Sequence, residues 1–357
     1  MKFLSKAISL AKKARGKTSP NPLVGAVIVK NNKIISHGYH KKAGQDHAEI
    51  AALRKIDFNA KGTTLYLTLE PCTFTGKTPP CVDQIIKSGV KRVVISSLDP
   101  NPKVHGKGAS KLKKAGIKTE IGLLEKESLK MNEVFNKFIK TGRPYITLKW
   151  AQTLDGKIGL RKEGITWISS KETLIESHSK RKYLDAILCG VNTIINDNPS
   201  LTSSFQGKKY GKDPIKIVLD SKLSLVNYID RKILNSGNDV IIFTSKKSSK
   251  KAEKLLLENK RIKIKRVSKL SGGLSLEEIL RVLGKLEITN VLVEGGANIL
   301  TSFLKAKTFD KIICYLSLQF FGDKGIPLIA GKIIESDLKI EQIKKLGTDL
   351  RLTLTSN

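Results

Sequence analysis

Cysteine is scarce, with four in 357 residues. That excludes a disulfide scaffold and points to a reducing compartment, the cytoplasm. Long apolar runs are missing too, and none approaches the ~20 residues that span a bilayer. The opening MKFLSKAISLAKKARGK only imitates a leader, because Lys6 interrupts its apolar run and no small-residue cleavage site follows. Phe3, Leu4, Ala7, Ile8, Ala11 and Ala14 recur at three and four, one face of an amphipathic helix. The common nucleotide fingerprints, Gly-x-Gly-x-x-Gly and the Walker loop, do not occur, nor does an internal repeat.

Acid is in short supply, with 32 Asp and Glu against 65 Lys and Arg, a net charge of +33. The excess is not a tail: residues 1–142 carry 27 bases and 10 acids, leaving 38 and 22 for the rest. Of the 65 bases, 54 are lysine and 11 arginine. Nucleic-acid readers cluster their cations and favour arginine's fork, so the balance reads as a lysine-rich surface rather than a nucleic-acid face.

What is present is ordinary globular material, 40% hydrophobic, in a length that suits two domains. LVGAVIVK and KIISHGYH flank an Asn31-Asn32 turn and read as a β-hairpin. Helical periodicity follows over 47–56, strands at 64–69 and 92–97, and one long helical pattern from Leu124 to Lys140. Thr141-Gly142-Arg143-Pro144 stops that helix, which sets the domain boundary between 142 and 143. Strands and helices alternate again from YITLKWAQ to the tail DLRLTLTS, which reads as a closing edge strand. Both halves therefore read as α/β.

The first half carries a metal constellation. His47-Ala48-Glu49 opens a helix, Cys72 follows a strand and Cys81 begins the next helix. One His and two Cys leave a tetrahedral zinc one open position, the catalytic pattern rather than the structural one. Glu49 lies close enough to move a proton without ligating. The expected chemistry is hydrolytic attack on an amino-bearing ring carbon with loss of ammonia. His37 and His40 are expected to face solvent or cap the hairpin, and Cys189 and Cys314 to be inert core thiols.

This order of motifs resembles the zinc nucleoside and nucleobase deaminases. The eight residues TFTGKTPP between the two cysteines resemble one branch, the pyrimidine deaminase of riboflavin biosynthesis, as do Asn21-Pro22-Leu23-Val24-Gly25 and Asp99-Pro100-Asn101-Pro102. The resemblance implies that Asn21 faces the pyrimidine and that Gly76, Lys77 and Thr78 form a lip near the ribose phosphate. Phe74 stands where that family usually has a histidine.

In the second half, Val291-Leu292-Val293-Glu294-Gly295-Gly296 runs from an apolar strand into two glycines and a helix. That pattern exposes N–H groups suited to phosphate. Lys149 lies in the first strand, followed by Thr153-Leu154-Asp155-Gly156-Lys157, and Ala186–Thr193 leads to Asp197-Asn198-Pro199. This series is similar to the reductase half of the same bifunctional family, so the resemblance spans essentially the whole chain.

That family implies an N-terminal cytidine-deaminase-like αβα sandwich and a C-terminal dihydrofolate-reductase-like αβα domain with a mixed sheet. It also implies zinc in the first and NADPH in the second. By the same carry-over Ala151, Trp167, Thr193, Asp197, Ser221 and the turn Gly296, Ala297, Asn298, Ile299, Leu300, Thr301, Ser302 line NADPH. Lys149, Ile165, Arg181, Leu201, Ser204 and Glu294 meet the substrate. Ser204 stands where the family often has an arginine, and Ile165 where it often has a serine.

The expectation is a cytoplasmic, homo-oligomeric two-step enzyme (a dimer or tetramer) acting on a phosphorylated pyrimidine, with no nucleic-acid or membrane partner. Two other readings stay open at this point. One is a zinc deaminase of another base or of tRNA with an accessory binding domain. The other is a basic nucleic-acid-binding protein with structural zinc.

Overall fold

The computed structural model describes residues 1–73, 80–160, 168–329 and 337–356. The chain divides into two compact units, Met1–Gly142 and Arg143–Asn357.

The first unit is built on one five-stranded sheet. In chain order it comprises α1 (Lys2–Lys12), β1 (Gly25–Lys30), β2 (Lys33–Tyr39), α2 (Ala48–Leu53), β3 (Thr64–Leu69), α3 (Cys81–Lys87), β4 (Arg92–Ser97), α4 (Lys107–Lys114), β5 (Lys118–Ile121), α5 (Glu125–Met131) and α6 (Glu133–Thr141). The strand order is β2-β1-β3-β4-β5. β1 pairs antiparallel with β2 and β3, while β3-β4 and β4-β5 are parallel.

Strand side chains alternate between faces, so a strand covered on both sides must be apolar throughout. β1 shows this: Ala26 and Ile28 join the core formed with α2, α3 and α4, and Val27 and Val29 pack under α1. Gly25 is required where α1 crosses β1. A Cβ there would sit 2.0 Å from the Ala7 carbonyl oxygen.

The helical pattern over 124–140 is two helices, not one. The break is Asn132, whose side-chain oxygen accepts the Leu23 N–H at 2.8 Å and whose amide donates to the Leu23 carbonyl at 3.0 Å. A side chain that pairs both ways with a distant backbone fixes its own position and interrupts the helix there.

The second unit holds a nine-stranded mixed sheet. Its main elements are β6 (Tyr145–Gln152), β7 (Lys157–Leu160), α7 (Lys171–Lys180), β8 (Ala186–Gly190), α8 (Val191–Asp197), β9 (Ile215–Leu219) and β10 (Val240–Ser245). There follow α9 (Lys250–Leu257), β11 (Ile262–Val267), α10 (Leu276–Lys285), β12 (Asn290–Glu294), α11 (Ala297–Lys305) and β13 (Lys311–Leu316). The last are β14 (Gly325–Pro327), β15 (Leu338–Leu346) and β16 (Asp349–Ser356). The sheet order is β11-β10-β9-β8-β12-β6-β13-β16-β15.

Strands β11 to β13 run parallel, and β16 and β15 close one side antiparallel. The tail expected at the edge, β16, is therefore interior; the edge is β15, an exposed strand in which Ile340 and Ile343 stand among charged and polar residues. Helices α10 and α11 cover one face, with Ile279, Leu283, Leu300 and Phe303. Ile194 of α8, Leu256 of α9 and Ile233 cover the other.

The substitution Gly25→Ala forces backbone apart from backbone, a form of overpacking worth ~1–3 kcal/mol. Denaturant titration of the first unit's transition should show that loss; unchanged stability would contradict the close approach of α1.

Candidate active sites

In the first unit the chemistry collects at the carboxyl ends of β3 and β4. His47 is the N-cap of α2, Cys72 lies just beyond β3, and Cys81 opens α3. Their ligand atoms lie within 4.8 Å of one another. The His47 Nδ1 is 3.2 Å from the Cys81 sulfur and 3.7 Å from the Cys72 sulfur. Bonds of about 2.0 Å to nitrogen and 2.3 Å to sulfur at a tetrahedral zinc imply N···S separations of about 3.5 Å, so these donors fit that metal. The shared proton is divided unequally: hydrogen bonds from Cys81 and then His47 draw the Cys72 thiol down to about 4, while the bond to Cys72 and burial push Cys81 up. A Cys72 thiolate suits metal ligation.

Glu49, in the first turn of α2, is 3% exposed, and its Oε2 has no hydrogen-bond partner. Burial raises its carboxyl to about 7. A buried carboxyl group with one oxygen unpaired beside three ligand atoms is a candidate for proton transfer.

The structure differs from the sequence reading at His40, which is 2% exposed rather than at the surface. Its Nδ1 donates to the Asp46 carbonyl at 3.0 Å, its ring meets His47 edge-on, and its Nε2 lies 3.2 Å from the Asn21 amide. Burial lowers its pKa, so the neutral ring carries its proton on Nδ1 and Nε2 accepts from Asn21. That orientation leaves the Asn21 oxygen as the open end of the amide. The only sequence hint was the seven-residue spacing of His40 and His47.

Glu70, also missed, organises the neighbouring loop by accepting the N–H groups of Asp99, Gly106 and Ala109 at 2.9–3.2 Å. Gly76, Lys77, Thr78 and Phe74 lie outside the described residues.

In the second unit a cleft of about 1180 Å3 opens at the carboxyl ends of β6, β8 and β12. Its walls bring together Lys149, Ala151, Arg181, Thr193, Asp197, Leu201, Glu294 and Gly296. Asn192, Asn196 and Arg231 join them without having been anticipated. The space exceeds that of a usual single small-molecule pocket, about 300–1,000 Å3, and suits a dinucleotide with a substrate. Gly190 keeps it open: a Cβ there would come within 2.9 Å of Ile299, which lets α11 sit against the end of β8. The first turn of α11 offers free backbone N–H groups beside Gly296.

The remaining expected residues are placed differently. Leu300 and Thr301 are buried behind the first turn of α11, and the Ser302 hydroxyl donates to the Asn298 carbonyl. Ala297, Asn298 and Ile299 form that first turn. Ser221 follows β9, its carbonyl accepting the Ser245 N–H. The Ser204 carbonyl accepts from His178 at 2.8 Å. Ile165 and Trp167 lie outside the described residues.

Glu294 is the electrostatic centre of this cleft. The Arg181 guanidinium donates to it at 2.9 Å, and Lys149 lies 4.0 Å away. Burial alone would raise this carboxyl, but the charges of Arg181 and Lys149 and the bond from Arg181 outweigh it and hold it at about 2. Burial lowers Lys149, and burial together with the Arg181 charge lowers His178 to about 4.

Comparison with known proteins covers both units. The cytidine and deoxycytidylate deaminase zinc-binding region matches residues 1–97, and the RibD C-terminal domain matches residues 144–352. The riboflavin biosynthesis protein RibD of Aquifex aeolicus is 45% identical over 352 residues, 98% of this chain and 96% of that protein. Its Escherichia coli counterpart is 34% identical over 99% of this chain and 98% of its own length. The solved RibD of Acinetobacter baumannii superposes with a TM-score of 0.88 at 33% identity, over 100% of this chain and 98% of that one. A diaminohydroxyphosphoribosylaminopyrimidine deaminase/5-amino-6-(5-phosphoribosylamino)uracil reductase from Thermotoga maritima gives 0.87 at 34% identity, over 100% and 98%.

Because the folded-state pKa of Glu294 is depressed, its contribution is complete above its ordinary value of 4.5 and fades as pH falls toward 2. Glu294→Gln breaks a buried pair and leaves Arg181 uncompensated, a cost of ~3–5 kcal/mol above about pH 5. The stability gap between wild type and variant should close between pH 4.5 and 2; a gap independent of pH would contradict the ionised pair.

Proposed function

The chain belongs to the RibD family of riboflavin biosynthesis proteins, and from that premise we infer a division of labour between its two units. Residues 1–142 deaminate 2,5-diamino-6-(5-phosphoribosylamino)pyrimidin-4(3H)-one by hydrolysis. Residues 143–357 then reduce the ribosyl group of the product to a ribityl chain with NADPH. The observation that carries this reading is Glu49, buried with its Oε2 unpartnered beside His47, Cys72 and Cys81. Neither a structural zinc site nor a nucleic-acid face accounts for that carboxylate. A cytoplasmic homo-oligomer acting on a phosphorylated pyrimidine, without nucleic acid, is consistent with the four unpaired cysteines and the dispersed lysines.

His47, Cys72 and Cys81 hold the zinc, and Zn2+ in a three-ligand site supplies the Lewis acidity that makes water nucleophilic near neutral pH. Glu49 takes the proton of the attacking water and delivers it to the departing amino group, which leaves as ammonia. Asn21, held by His40, turns its carbonyl oxygen to an N–H of the pyrimidine. Gly76, Lys77 and Thr78 serve the ribose phosphate of this substrate. In the second unit bound NADPH would supply the hydride for the reduction of the ribosyl group. Its contacts are assigned to Ala151, Trp167, Thr193, Asp197, Ser221 and the first turn at 296–299, with Leu300, Thr301 and Ser302 supporting that turn from behind. Arg181 and Lys149 keep Glu294 ionised beneath the substrate, with Leu201, Ile165 and Ser204 along its edge.

Glu49→Gln should lower ammonia release by at least the ~10²–10⁴ of general acid–base catalysis. Zinc content should stay near one per chain, and NADPH oxidation with deaminated substrate should continue. Loss of zinc, or retained deamination, would remove Glu49 from this role.

His40→Phe deletes the acceptor that orients Asn21. The expected result is a raised KM for deamination with zinc content intact, and partial recovery in His40→Gln. An unchanged KM would show that Asn21 needs no such support.

A further inference from the structure

Among the described residues, three cations line the cleft of the second unit: Lys149, Arg181 and Arg231. Two are committed to the protein. The Arg181 guanidinium bonds Glu294 and the Thr202 carbonyl, at 2.9 and 3.0 Å. Lys149 stands 4.0 Å from the same carboxylate and over the Tyr315 ring.

Arg231 is different. Its nearest carboxylate is that of Asp230 at 3.9 Å, a side chain 76% exposed to water. Its Nε, like that of Arg181, is buried without a hydrogen-bond partner, but among the described residues no buried carboxylate pairs with its charge, and its guanidinium lies 5.2 Å from the centre of the Tyr228 ring. The cation thus lies near the Tyr228 ring at the cleft wall, and among the described residues its guanidinium has no carboxylate closer than 3.9 Å. The chain around it is held in place: Arg231 N–H donates to the Tyr228 carbonyl, and the next residue's N–H donates to Asn198 at 2.8 Å. Asn198 follows Asp197, itself in the cleft wall and without an ion-pair partner among the described residues. A fixed guanidinium with an open fork is built for the paired oxygens of a phosphate.

We propose that Arg231 is the phosphate-monoester grip of this cleft, supplied from the loop after β9 in place of the arginine that is missing at Ser204. The proposal rests on the reductase reading of the second unit. That reading brings two phosphate monoesters to the cleft, the substrate's 5-phosphate and the 2′-phosphate of NADPH. Asp197 beside the arginine suits a ribose hydroxyl, which accompanies the phosphate in either ligand.

The test uses the full-length protein and the variants Arg231→Gln and Arg231→Lys. Affinities for NADPH, NADH and ribose 5-phosphate are measured by fluorescence titration and calorimetry, with thermal melting as the control for folding. Arg231→Gln should weaken one monoester ligand by about 10–100-fold, the worth of a charge-assisted pair. Arg231→Lys should recover part of that loss. A fall for NADPH but not NADH assigns the grip to the cofactor; a fall for ribose 5-phosphate alone assigns it to the substrate. Affinities unchanged within about twofold, or an equal fall for NADPH and NADH, would overturn the proposal. Wild-type protein that binds none of the three would defeat the reductase reading itself, and the proposal with it.

Discussion

Both sheets are covered on both faces, and that constraint decides where chemistry can occur. A strand with apolar side chains on either side has no room for a polar group along its length. β1, β3, β8, β10 and β12 obey this almost without exception. Polar groups can then gather only where strands end, and parallel strands end together. Hence Cys72 and Asp99 meet beyond β3 and β4, and Lys149, Cys189 and Glu294 meet at the ends of β6, β8 and β12.

Each unit places a carboxylate there that is paid back by its surroundings, in two different ways. Glu70 is neutralised by geometry, through three backbone N–H groups of one loop, and its effect is to fix that loop. Glu294 is neutralised by charge, and its effect is to hold Arg181 and Lys149 at the cleft floor. Glu49 has neither kind of partner at its Oε2, which separates the proposed proton carrier from the two organising acids. The same residue type therefore has three roles, set by what surrounds each oxygen.

The sequence made the metal ligands legible because each sits at an element boundary that turn and helix signals already marked. His47 caps α2 and Cys81 opens α3, so period and punctuation led to them. The apolar strands were legible for the same reason as the core. What could not be read depended on contacts distant in the chain. The break at Asn132 comes from Leu23, 109 residues away, and no local pattern predicts it. His40 looked like a hairpin residue; its burial follows from α2 folding back over β2 and from Asn21. The tail looked like an edge because its partner β15 is mostly charged and polar and reads as solvated chain.

Arg231 is the extreme case, since its meaning lies in what does not touch it. Its neighbours in sequence are unremarkable, and it belongs to the minority type among the basic residues. The net charge of +33 attracts anions in general and selects none, because lysines in water are mobile and screened within about 10 Å. Recognition of one phosphate needs a cation that is immobile, partly desolvated and not already neutralised. Arg181 meets the first two conditions and fails the third, because Glu294 takes its charge. The surface lysines meet only the third. Within the described cleft wall Arg231 meets all three, so the proposed grip on a phosphate rests on one guanidinium and not on the sum of the charges.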